Sequence, residues 1–84
     1  MPPAYDFKLA LTRVIKPAGG PGVEPATLED AALFVGRMKT WGQARPHWDF
    51  AAELLLKAAE TRKESDIDMA TAQMERALRV EGWL

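Results

Sequence analysis

Residues 46–62, PHWDFAAELLLKAAETR, decide how this chain folds. Polar side chains recur at Asp49, Glu53, Lys57 and Glu60, a narrow stripe on one side of a 3.6-residue helix. The other positions, Phe50, Ala51, Ala52, Leu54, Leu55, Leu56, Ala58 and Ala59, are apolar. Glu53 and Lys57 are spaced for a favourable i,i+4 pair. Pro46 suits the first turn, where its missing N–H is no loss. A helix with so little polar surface is covered on several sides. It is therefore the central helix, or one whose flank another subunit covers.

Immediately upstream, residues 36–48, GRMKTWGQARPHW, gather Arg37, Lys39 and Arg45, the chain's only histidine (His47) and two of its three tryptophans, Trp41 and Trp48. No acidic residue lies between Asp30 and Asp49. One reading is a corner between two helices: Gly42 stops the first in a left-handed C′ conformation, and Pro46 starts the next. Arg37 and Lys39 then complement the negative end of a helix dipole. The other reading is a contact surface, positive and aromatic, with Arg37, Lys39, Trp41, Arg45, His47 and Trp48 as its candidate residues.

The helix before this corner opens at Thr27, an N-cap hydroxyl with Asp30 three residues on, close to a capping box. Leu28, Ala31, Ala32, Val35 and Met38 form its apolar stripe, which Leu33, Phe34 and Trp41 widen. After the central helix, Thr61 to Glu64 connect to a further helix capped by Ser65, with Asp68 at N3. Ile67, Ala70, Met74, Ala77 and Leu78 line its inner side, and Glu75–Arg79 forms a surface pair. Gly82 at C′ fits a Schellman stop, with Trp83 folding back toward Leu78.

Residues 5–16, YDFKLALTRVIK, carry two overlapping patterns. Phe7, Leu11, Val14 and Ile15 recur at helical spacing, whereas Phe7, Leu9 and Leu11 alternate as in a strand. With no second strand to pair with, helix is the expectation, ending before Pro17. Residues 17–26, PAGGPGVEPA, read as a mobile linker that lets the first segment pack back or reach another copy. The expected architecture is all-α. It is one domain over 1–84, a three- to four-helix bundle whose core (27–84) has an antiparallel C-terminal hairpin and whose N-terminal segment (1–16) is loosely attached.

The 84 residues, 48% apolar and 27% charged, have the composition of a single globular domain with modest stability. Net charge is −1, with six basic and four acidic side chains in 1–48 against five basic and eight acidic in 49–84. This gives no global attraction to nucleic acid or anionic membrane. There are no cysteines, hence no thiolate metal site, thiol nucleophile or disulfide. No phosphate-binding glycine loop, EF-hand spacing or nucleophile–base pair is present, and no membrane span or export signal, so a cytoplasmic, non-catalytic protein without cofactor, metal or small-molecule substrate is expected.

A helix–turn–helix DNA reader is a poor fit, because the following helix would present Asp49, Glu53 and Glu60 to phosphates. The expected function is a protein-interaction or self-associating module whose partner is another protein or its own copy in a homodimer. The excess of apolar helix surface and the arginine, tryptophan and methionine content support it. A nucleic-acid accessory role for the basic corner at 36–48 is the alternative.

Overall fold

The structure, a computed structural model, describes residues 5–20, 22–40 and 45–84. Its regular elements among these residues are three α-helices, α1 (Leu28–Thr40), α2 (Pro46–Thr61) and α3 (Glu64–Val80). The predicted stop at Gly42 lies outside the described residues.

Each helix end has a local cause. At α1 the Thr27 hydroxyl accepts the Asp30 N–H (3.1 Å), and the Asp30 carboxylate accepts the Thr27 (3.2 Å) and Ala26 (3.0 Å) N–H groups. This is a capping box in which aspartate does the work of glutamate. The Ala26 N–H above all, then Thr27, holds the Asp30 carboxyl below its ordinary value. α2 starts at Pro46 after an extended Arg45 and ends at Arg62, whose φ of 60° is left-handed and whose N–H reaches the Ala58 carbonyl. α3 starts two residues earlier than expected. Lys63 is the N-cap, without a side-chain cap, and Ser65 sits inside the first turn. The tight Arg62–Lys63 link leaves no room for a longer approach to the helix. At its far end Gly82 has φ 81°, Gly82 N–H bonds the Arg79 carbonyl and Trp83 N–H bonds the Leu78 carbonyl, which completes the Schellman pattern.

α2 packs against both other helices. Its inner side is Trp48, Ala51, Leu55, Ala58 and Ala59. The alanines, with Ala31, Ala70 and Ala77, let backbones approach, while Trp48, Phe34, Met38, Met74 and Leu78 fill the volume between. Phe34 and Trp48 stack with ring centres 5.6 Å apart. The start of α2 meets the end of α3 through Trp48 and Glu81, and the end of α2 meets the start of α3 through Thr61 and Asp66.

Residues 5–16 form no helix, and they are not loosely attached. Leu11 and Ile15 are buried in the core, whereas Val14, which a helical face would have buried, is 53% exposed. The segment is a strap whose backbone is satisfied elsewhere. The Leu9 and Phe7 carbonyls accept the Leu28 and Glu29 N–H groups, Leu11 N–H bonds the Ala26 carbonyl, and Asp6 N–H bonds the Ala59 carbonyl. A single antiparallel bridge joins Ala10 to Thr27. The strap also grips α3: Arg13 forms a two-pronged pair with Glu75, and the Thr12 hydroxyl meets Asp68. Glu75, expected beside Arg79, is thus engaged by Arg13, which holds its carboxyl below the ordinary value.

The proline–glycine stretch is likewise packed. Pro25 is fully buried, Ala18 N–H bonds the Trp83 carbonyl (2.7 Å), and the Trp83 ring lies on Gly19 and Gly20. A Cβ at Gly19 would come within 2.6 Å of the ring. Gly19→Ala is therefore expected to cost about 1–3 kcal/mol by overpacking. In a Trp83→Ala background the same change should cost much less, and denaturant unfolding of the four proteins of this cycle measures the coupling.

Candidate functional site

The basic, aromatic corner is organised by a residue outside it. Glu81, just past the end of α3, turns its carboxylate toward the start of α2 with its side chain only 8% exposed. One oxygen, Oε2, accepts the Trp48 indole N–H (2.9 Å) and lies 3.1 Å from His47 Nε2 and 3.9 Å from Arg45 Nε. The donors keep the Glu81 carboxyl below its ordinary value of 4.5, Trp48 most strongly, then His47 and Arg45, against a partial burial that acts the other way. Gln73 adds a tie from α3, donating from Nε2 to the His47 carbonyl at 3.2 Å.

The six candidate contact residues are therefore placed differently from one another. Trp48 is fully buried in the core, and His47 is largely covered beside it, ring centres 5.3 Å apart. Arg45 is exposed but faces Glu81. Lys39 is exposed and pairs with Asp49 across the corner at 3.1 Å, a surface pair of small energy. Arg37 is exposed in the last turn of α1. Trp41 lies outside the described residues. Glu81 itself went unremarked in the sequence. The available signal was that a buried indole N–H needs an acceptor, and a chain doubling back after Thr61 carries residue 81 to it.

Two apolar grooves flank α2. The first, of about 210 Å³, is lined by Phe50 and Leu54 of α2 and by Met69, Ala72, Gln73 and Arg76 of α3. The second, of about 190 Å³, is lined by Phe7, Ala32, Val35, Ala52, Leu55 and Leu56. Both fall below the roughly 300–1,000 Å³ of small-molecule sites and suit inserted side chains instead. Among the described residues, no group of three or more His, Asp or Glu side chains is placed to hold a metal ion. No described helix is long and apolar enough to cross a membrane.

No family model matches this chain, and neither curated proteins nor solved structures give a significant match to it.

The Glu81 corner has two measurable consequences. Glu81→Ala leaves the buried Trp48 N–H without its acceptor and should cost about 1–3 kcal/mol. Glu81→Gln keeps an acceptor but removes the charge. Because folding lowers this carboxyl's pKa, its stabilisation is complete above the ordinary value of 4.5 and is lost as pH falls through the folded value. The stability gap between the parent chain and Glu81→Gln should therefore be widest near neutrality and shrink below about pH 4.5, as followed by denaturant titration at several pH values.

Proposed function

We propose that this chain is a non-catalytic protein-interaction module. On this reading an antiparallel α2–α3 hairpin, with α1 packed beside it, presents apolar grooves to another protein or to a second copy. Its setting is the cytoplasm, in keeping with a chain that has no cysteine.

The observation that carries the proposal is the exposure of Phe50 and Leu56, 47% each, on opposite flanks of the helix that also holds the core together. Each residue borders a groove whose lining is mainly apolar. Exposed apolar side chains gathered beside concave surfaces mark contact sites. Arg37 and Lys39 supply polar rim at the nearby corner, where charges steer association more than they hold it. The nucleic-acid alternative draws less support, because Arg45 and Lys39 already face Glu81 and Asp49.

A photo-reactive amino acid placed at Phe50 or at Leu56 in living cells tests the reading. Covalent adducts with protein should exceed those formed from the exposed Val14 position. If neither site exceeds that control, the grooves are not contact surfaces. A gel shift with non-specific DNA that vanishes steeply with salt, and that needs Arg37, Lys39 and Arg45, would move the assignment to nucleic acid.

A further inference from the structure

We propose that the α2/α3 face is a self-complementary dimer interface, with α2 of one copy lying on α3 of the other, and with Glu53 of each copy facing Arg76 of its partner copy. This rests on the interaction-module reading and names the occupant of one of its two grooves.

The face is built from two helical rows. On α2, Phe50, Glu53, Leu54 and Lys57 follow one another at i, i+3, i+4 and i+7. On α3, Met69, Ala72, Gln73 and Arg76 do the same. The rows meet at the first groove, whose apolar lining continues outward onto Met69 (51% exposed) and Val80 (57%). A chain of 84 residues has little apolar area to spare for solvent, so covering this face adds stabilisation that the monomer lacks.

Charge selects the occupant. The outward stripe of α2 carries Asp49, Glu53 and Glu60. Its lysine, Lys57, leans to Asp66 with 4.0 Å between charged atoms. The outward side of α3 carries Arg76 and Arg79, while exposed Asp68 beside them is engaged by the Thr12 hydroxyl of the strap. Among the described residues neither Glu53 nor Arg76 has an ion-pair partner within 4 Å. One edge of the face is thus acidic and the other basic, a pattern that complements itself.

Only one symmetry satisfies it. α2 and α3 run in opposite directions, so a twofold axis across them would stack α2 on α2 and set like charges together. A twofold axis along them lays α2 on the second copy's α3. Phe50 and Leu54, which flank Glu53, share the groove with Met69, Ala72, Gln73 and Arg76. Because Arg76 lines the same groove as the neighbours of Glu53, this arrangement brings Arg76 of one copy to Glu53 of the other.

Sedimentation velocity over a wide concentration range tests the proposal, with circular dichroism to show that each variant folds. The parent chain should dimerise. Glu53→Arg alone and Arg76→Glu alone should each weaken the dimer by on the order of tenfold or more, because each places like charges across both symmetric contacts. A mixture of the two variants should dimerise preferentially as the heterodimer, in which both contacts again join opposite charges. A parent chain monomeric to millimolar concentration would overturn this inference yet leave groove-dependent cross-links to other proteins standing. A dimer indifferent to both charge reversals, or a mixture without heterodimer preference, would place the interface elsewhere.

Discussion

The packing of the three helices turns on a buried indole. Trp48 has no exposed surface, so its N–H must be satisfied from within the protein. The acceptor comes from Glu81, 33 residues on in the chain. That requirement sets the relation of the two longest helices: α3 must return far enough along α2 to deliver its last acidic residue to the first turn of α2. The Phe34 ring on the other side of Trp48 ties α1 to the same point. A single aromatic side chain therefore joins all three helices, and the carboxylate that serves its N–H also meets the His47 ring and the Arg45 guanidinium.

The N-terminal strap answers a second demand of the same kind. The first turn of any helix has N–H groups with no partner inside the helix. In α1, Asp30 takes the two N–H groups just ahead of the helix, and the strap's Leu9 and Phe7 carbonyls take those of Leu28 and Glu29. A loop carbonyl is thereby doing what a side-chain cap does elsewhere. The strap costs little in unpaired backbone because the linker returns the favour to Leu11 and Ile15 through the Ala26 and Pro25 carbonyls.

What the sequence disclosed follows from how local each cause is. The course of α2, the Thr27–Asp30 box and the Gly82 stop depend on residues within a few positions of one another, and all three were legible. The Ser65 cap was not realised, because Arg62 takes a left-handed conformation more usual for glycine and starts α3 early. Residues 5–16 misled because two periodicities coincide in them. The partners that decide between them, Ala26, Leu28, Thr71 and Glu75, are distant in sequence. The site shows the same division. The positive charge of the corner could be counted, while the approach of Glu81 to Arg45 and His47 required the tertiary fold.

The strap also has a kinetic meaning. Arg13 and Glu75 are 62 positions apart, and Thr12 and Thr71 are 59 apart, so these contacts close loops that span most of the 84-residue chain. Helices need only neighbours and form on the microsecond scale, whereas such closures pay their entropy before any contact rewards it. The strap is therefore expected to settle late in folding and to leave early in opening. Its departure uncovers the α1 N-terminus, and with it the Leu28 side of the core. In this fold the least local contacts guard the ends of the most local structure.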